Sequence, residues 1–296
     1  MTAVSPCTGV CRLDDATGWC LGCARTGEEI AEWRTHSDDW RAAVWEALPT
    51  RFPALGIACR RLPWSTNDIH DFIGNSLSDK KGTWVIGVVG AVGEFAATRD
   101  ACVDLSTNGS EIVANTAGGH LRFFVDDHVR ALTFDPPETP LVRQRVVLAV
   151  KRQRGRVPVS DTIKDLGPDS AAVDVVDRGF HLYDLGLGRK ESRFCVRCGP
   201  GMANDALCSE AGSGQSFADA IARLAPILIA ESPARVVEST LGRIEVLSPI
   251  PLPGGMSPAG PHTHLLPNHI ATGRSLPVGW DLPRAYLPGA IFYPAA

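Results

Sequence analysis

The sequence has no long apolar run, no excess of positive charge and no recognisable export signal. No stretch approaches the roughly 18 consecutive apolar residues of a membrane-spanning helix, and residues 1–6 lack the basic start and apolar run of a signal peptide. The net charge of −4 argues against a general nucleic-acid-binding protein. We therefore expect a cytoplasmic protein that binds neither membrane nor nucleic acid.

Several catalytic motifs are also absent. There is no P-loop, no G-x-S-x-G nucleophile elbow and no H-E-x-x-H zinc motif, and the glycines at 87–93 and 186–188 lack the rest of a phosphate-binding fingerprint. What is present is an ordinary globular composition, 44% hydrophobic and 21% charged, which excludes wholesale disorder, collagen and coiled coil. The sequence leaves open whether the protein is an enzyme.

Cysteine carries the strongest signal. Nine are present, and an odd number argues against a complete disulfide framework. Four of them, Cys7, Cys11, Cys20 and Cys23, form two short-spaced pairs joined by a polar, turn-rich loop. Four thiolates on one centre suit either tetrahedral zinc or an iron–sulfur cluster, and the spacing alone does not decide between them. We predict one metal site at these four residues.

Two short helices are predicted after the cysteines. Thr26 and Glu29 match a capping box, and Ser37 is placed to cap a second helix that carries an apolar stripe. Residues 1–52 therefore form a predicted four-cysteine metal-binding module. Residues 1–55 contain five arginines and eight acids, a balance of −3 that disfavours contact with DNA phosphates.

The N-terminal residues resemble a known family. The segments that carry the resemblance are Ser5–Asp14, Trp19–Thr26 and Glu29–Trp33. They are similar to the small Cys-rich bacterial family called domain of unknown function 1289, whose members are described as predicted iron–sulfur proteins. The resemblance covers roughly residues 5–52 and implies a metal site at the four cysteines, but no particular activity.

Residues 56–296 are predicted to form a larger α+β domain, mainly antiparallel β with few helices. Alternating apolar residues indicate many short strands, Asn108-Gly109 is a strong hairpin turn, and helices are predicted over 65–77 and 217–230. Ten of the 22 prolines fall in the last 49 residues. We expect this C-terminal segment to be an irregular, Pro-rich strap that lies across the sheet.

A second metal site is possible at His262 and His264. Two histidines at i and i+2 in an extended segment point to the same side, and imidazoles suit zinc, iron or copper. The alternative is a pair of hydrogen-bonded histidines in a loop fixed by flanking prolines. A metal site would need a carboxylate, and the candidates are Glu238, Glu245 and Asp184.

Two weaker patterns complete the list of candidates. Cys195 and Cys198 could be half of a metal site, with Cys208 as a third ligand, or a redox pair, although a β-strand would point them to opposite faces. The segments 93–95, 119–122 and 130–135 resemble parts of bacterial haem-utilisation proteins.

Three functions follow from these patterns. The first is a metal-binding accessory protein, holding an iron–sulfur cluster or zinc, whose module transfers electrons or docks a protein partner and whose main domain binds a small ligand. The second is a metalloenzyme with its metal at His262 and His264. The third is a haem or tetrapyrrole binder.

Overall fold

The computed structural model describes residues 4–154, 157–272 and 274–295. The helices are α1 (Gly27–Ala31), α2 (Asp38–Arg51), α3 (Thr66–Ser78), α4 (Met202–Ser213), α5 (Phe217–Glu231) and α6 (Pro267–Ile270). The strands are β1 (Arg60–Arg61), β2 (Gly82–Val88), β3 (Ala91–Ala96), β4 (Asp104–Asn108), β5 (Glu111–Thr116), β6 (Gly119–Phe124), β7 (Val129–Thr133), β8 (Val146–Lys151), β9 (Lys164–Pro168), β10 (His181–Asp184), β11 (Ser192–Cys198), β12 (Ala234–Ser239), β13 (Gly242–Val246), β14 (His262–Leu265) and β15 (Tyr286–Pro294). Among the described helices none is both long and apolar enough to cross a bilayer.

The strands form two antiparallel sheets that pack face to face. The seven-stranded sheet has the order β1-β7-β8-β15-β2-β3-β14, and the eight-stranded sheet has the order β4-β5-β6-β13-β12-β11-β10-β9. The largest apolar cluster fills the space between them and includes the buried side chains of Trp84, Phe95, Phe123 and Ile244. The predicted class, α+β with a mainly antiparallel β domain and few helices, is confirmed.

The alternation of buried and half-exposed residues along a strand shows which side chains point into the core and which lie on the outer face of the sheet. In β2 the side chains of Trp84, Ile86 and Val88 are buried, whereas those between them are half-exposed on the outer face of the seven-stranded sheet. The indole of Trp84 also donates to Ser76 Oγ over 3.0 Å, which fixes α3 against the core. The outer face is therefore the one on which polar side chains of neighbouring strands can meet.

The N-terminal module builds its own small core. Thr26 and Glu29 form the predicted capping box, and the Ser37 side chain accepts from Trp40 N at the start of α2. Ala24, Trp33, Val44, Leu48 and Phe52 are buried together, with Trp40, Trp45, Leu55 and Ile57 around them. Arg51 joins the two helices through a 2.7 Å ion pair with Glu29.

A buried ion-pair network stabilises the eight-stranded sheet. Glu245 is fully buried on β13, and its carboxylate lies 2.7 Å from Arg197 and 3.0 Å from Arg243. Asp169 pairs with the same two arginines at 3.1 and 2.6 Å. Each buried charge in this network has partners of opposite sign, so we assign these residues a role in the structure of the sandwich and not in ligand binding.

The C-terminal segment is more regular than predicted. His262–Leu265 adds an edge strand to β3, and Tyr286–Pro294 lies in the interior of the seven-stranded sheet, between β8 and β2. Pro288 is tolerated there because the pairing with β8 shifts register between Pro288 and Ala290. In the irregular segment 274–285, Leu276, Trp280 and Leu282 pack on the outer face of this sheet.

Candidate metal centres

The loop between the two cysteine pairs is a tight hairpin. Asp14 accepts hydrogen bonds from Thr17 N and Oγ1, both over 2.8 Å, and Gly18 has a positive φ of 70°. The turn returns the chain so that Leu13 pairs with Cys20. The turn brings the second cysteine pair next to the first, where Cys20 Sγ donates to the carbonyl of Val10 over 2.9 Å.

The four thiols lie in one neighbourhood. Cys20 and Cys23 are buried, whereas Cys11 is exposed. The neighbouring Cys7, then burial and Cys20, raise the pKa of Cys11, and burial, with a smaller contribution from Cys20, raises the pKa of Cys23. Across the described part of the chain, however, no three of these sulfurs lie within 4.8 Å of one another.

Arg25 and Gly22 make close contacts inside this loop and stabilise its conformation. Arg25 is buried, stacks on Trp33 with 4.7 Å between the guanidinium and the ring centre, and donates from Nε to Cys23 Sγ over 3.4 Å. Gly22 lets two strands of the loop approach closely, because a Cβ added there would lie 2.6 Å from Val10 Cβ and 2.7 Å from Thr8 Oγ1. The burial of this cation next to the thiols depends on the packing of Trp33, which the cysteine spacing does not show.

The second site lies on the outer face of the β3–β14 pair. His262 is the cross-strand partner of Glu94, and His264 follows two residues later on the same side. His262 Nε2 lies 3.0 Å from His264 Nε2 and 3.3 Å from Glu94 Oε2, and His264 Nε2 lies 3.5 Å from Glu94 Oε1. Three potential ligand atoms thus converge on one point.

These separations match ligation of one ion. Two ligand atoms each about 2.1 Å from a metal, at angles of 90–109°, are separated by roughly 3.0–3.4 Å. His262 Nδ1 also donates to the carbonyl of Gly260 over 2.8 Å, so in the neutral ring Nε2 keeps its lone pair for a metal. The hydrogen bond with His262 lowers the pKa of Glu94, which keeps the carboxylate ionised.

The site is open to solvent on one side. The side chains of Glu94, His262 and His264 are 27%, 19% and 36% exposed, so an ion and a small molecule can reach them. A small apolar pocket of about 80 Å³ adjoins it, lined in part by Val85 and Val92, the cross-strand partners of Glu94 and His264. The geometry therefore combines converging ligands with an accessible, partly apolar surface.

Two families match the chain. One, described as a family of unknown function (DUF6925), matches residues 68–296, which is most of the sequence. The chain belongs to this family. The other, described as a protein of unknown function (DUF1289), matches residues 5–52 and confirms the N-terminal resemblance. No curated protein and no solved structure matches the chain.

The four cysteines thus lie in the DUF1289 segment and fit a metal-binding module, whereas Glu94, His262 and His264 all lie in the DUF6925 region. The carboxylate partner of the histidines is not one of the three predicted candidates. Glu238 is paired with Arg193 at 2.6 Å, Glu245 belongs to the buried network, and Asp184 is buried. Glu94 stands on the polar side of an alternating strand, but its pairing with β14 is a long-range contact that sequence alone does not show.

Cys195 and Cys198 of the DUF6925 region do not approach each other as a site. Both are buried on β11, three residues apart, and they belong to different apolar clusters because alternation sends them to opposite faces. Burial raises the pKa of Cys198 to about 12 and that of Cys195 well above its usual range. These thiols are therefore poor nucleophiles and poor metal ligands.

The segments that resemble haem-utilisation proteins are distributed over both sheets. Residues 93–95 lie in β3 and 130–135 begin in β7 of the seven-stranded sheet, whereas 119–122 lie in β6 of the eight-stranded sheet. The two polar side chains best suited to a ligand, Glu94 and His120, both alternate with core residues and so point away from the shared core, on different sheets. They do not face one pocket.

Proposed function

We propose that this protein is a metalloprotein whose main domain binds one divalent transition-metal ion through Glu94, His262 and His264. The observation that carries the proposal is the convergence of three ligand atoms within 4.8 Å on two adjacent strands. Two histidines and one carboxylate suit Zn²⁺ or Fe²⁺. The fixed Nδ1 of His262 adds the outer hydrogen bond that commonly orients a metal-binding histidine.

Three protein ligands leave at least one coordination position for water or a substrate, which is typical of catalytic rather than structural sites. A metal bound there would supply a Lewis acid, able to polarise a carbonyl or to lower the pKa of bound water. Glu94, in turn, would offset the positive charge of the ion, and the pocket beside Val85 and Val92 would take a small apolar group. This favours a metalloenzyme over a metal-storage role.

We further propose that Cys7, Cys11, Cys20 and Cys23 hold a separate metal centre, of the iron–sulfur type. The resemblance of this segment to a family described as predicted iron–sulfur proteins supports a cluster, and the alternative is a single zinc held by the same four thiolates. Such a centre would serve electron transfer or partner docking, in a reducing compartment such as the cytoplasm, where nine free thiols persist.

Metal and sulfide analysis of the full-length protein tests both proposals. Purified without oxygen, the protein should contain acid-labile sulfide with cluster iron, plus one further metal ion per chain. The double change His262→Ala and His264→Ala should remove the single ion and leave the cluster, whereas Cys11→Ser should do the reverse. His269→Ala is the matched control, because His269 is an exposed histidine on α6 of the same segment.

The outcomes separate the two sites. If the double histidine variant retains all its metal, the main-domain site is refuted and the three side chains are a hydrogen-bonded surface cluster. If one zinc per chain is lost in Cys11→Ser and no sulfide is found, the N-terminal centre is zinc.

A further inference from the structure

Five positively charged side chains surround one cleft between the N-terminal module and the sandwich. The cleft has a volume of about 580 Å³, its cations are Arg61, Arg130, Lys151, Arg152 and Arg284, and Cys7 also lines it. None of the described residues that line it is acidic. In a chain with a net charge of −4, this local excess of positive charge is a specific feature.

Strand register places the charges together. Arg61 on β1 pairs with Leu132 on β7, so Arg130, two residues from Leu132, lies on the same face. Lys151, at the end of β8, is the cross-strand partner of Tyr286 and lies on that face as well. The cations come from four segments far apart in sequence, and the sheet edge brings them to one side.

The charges are not neutralised by the protein. Within residues 4–154, 157–272 and 274–295 no ion pair involves any of the five, and Arg61 Nε and Arg130 Nε are buried without a hydrogen-bond partner. The Arg152 side chain donates to the backbone carbonyls of Arg284 and Tyr286, over 2.7 and 3.1 Å. Burial, then repulsion from Arg130, lowers the pKa of Arg61 to about 10. Unpaired buried donors of like charge are unfavourable unless a ligand supplies acceptors.

The thiolates of the module account for only part of this charge. Four thiolates carry at most four negative charges, part of which the metal they hold would offset, and of the four cysteines only Cys7 lines the cleft. Five cations exceed that charge. A ligand with several negative charges and many acceptor oxygens would complete the site.

We propose that this cleft binds a small molecule that carries at least two phosphate groups. Guanidinium groups match phosphate oxygens with paired hydrogen bonds, and the cleft volume is that of an ordinary small-molecule site. The site is distinct from Glu94, His262 and His264, and its existence does not depend on the metal bound there.

Titration calorimetry of the full-length protein with inorganic pyrophosphate, and separately with inorganic phosphate, tests the proposal. We expect pyrophosphate to bind more tightly than phosphate, and more weakly as salt is raised. Arg61→Gln should weaken binding about tenfold or more, as expected for loss of a charge-assisted hydrogen bond. Lys151→Gln, at a half-exposed position that makes no side-chain hydrogen bond in the described structure, should weaken binding without affecting folding.

Two controls make the result specific. Arg143→Gln removes an exposed cation outside the cleft and should leave the dissociation constant within about twofold. His264→Ala should also leave the dissociation constant for pyrophosphate unchanged. This result would show that pyrophosphate does not bind by chelating a metal at Glu94, His262 and His264. The proposal is overturned if pyrophosphate does not bind at millimolar concentration, in which case the cations only balance the thiolate centre. It is equally overturned if Arg61→Gln and Lys151→Gln both bind as tightly as the unchanged protein.

Discussion

Replacing His264 with alanine should remove most of the stabilisation that metal gives the main domain. The change removes one of three ligands and leaves Glu94 and His262, which lie 3.3 Å apart. His264 is 36% exposed, so the truncation creates no cavity in the core. We therefore expect the metal-free variant to unfold at the same temperature as the metal-free original, and the two proteins to differ only when metal is added.

The size of the effect follows from binding linkage. At a metal concentration 100 times the dissociation constant, an ion that binds only the folded state stabilises it by about 2.7 kcal/mol. For a domain of this size each kcal/mol raises Tm by roughly 2–4 °C, so the expected rise is about 5–11 °C. Removing a residue that hydrogen-bonds to a metal ligand weakens metal affinity about 10–100-fold. Removing a direct ligand should therefore weaken metal affinity by at least about 100-fold. The variant then gains at most about 0.4 kcal/mol at the same concentration.

Differential scanning calorimetry with and without added Zn²⁺ measures this directly. Zinc also binds cysteines of the unfolded chain, but that contribution is common to every variant, so the difference between variants isolates the site. His269→Ala should keep the full metal-dependent rise. A rise that survives in His264→Ala, or that disappears in His269→Ala as well, would show that the metal binds elsewhere.

Three other changes test the module and the sandwich. Cys11→Ser should make residues 1–52 sensitive to limited proteolysis while the main domain stays resistant, since the module core is small and the metal supplies much of its stability. Gly22→Ala should lower metal content, because its Cβ would lie 2.6 Å from Val10 Cβ, whereas Gly27→Ala meets only Leu13 Cδ1 at 3.5 Å and should not. Glu245→Gln should lower the free energy of unfolding in urea by about 3 kcal/mol, since it breaks a buried network, whereas Asp79→Asn in the exposed pair with Lys81 should have no measurable effect.

Local features of the fold could be predicted from sequence. The Thr26 capping box, the Asn108-Gly109 hairpin and the helix beginning at Phe217 all depend on residues within a few positions of one another. The family resemblance and the side-by-side placement of His262 and His264 are local in the same sense. Each was predicted because its physical cause lies within one short segment.

The features that could not be predicted from sequence depend on contacts between residues far apart in the chain. Glu94 reaches the histidines because β14 pairs with β3, about 170 residues away in sequence. The last strand contains Pro288 and Gly289, which argue against an interior strand, yet a shift in register accommodates them. The basic cleft combines residues 61, 130, 151, 152 and 284, none of which forms a charge run. Only the sheet order shows that these groups meet.

Sheet order also relates the metal site to the basic cleft. One row of cross-strand partners crosses all seven strands on the outer face, in the order Arg61, Leu132, Val147, Ile291, Val85, Glu94 and His262. The middle of this row is apolar and lies under the irregular C-terminal segment. With strands about 4.8 Å apart, the six steps separate the two ends by roughly 29 Å.

At that separation the two sites should act independently. Effects of changes more than about 10 Å apart, with no shared partners, usually add within 0.3–0.5 kcal/mol. The double variant His264→Ala with Arg61→Gln should therefore lose metal as the first change does and bind pyrophosphate as weakly as the second does. Calorimetric titration of the double variant with each ligand measures both quantities. A pyrophosphate affinity that depends on metal at Glu94 and His262 would instead mean that the apolar middle of the sheet couples the two ends.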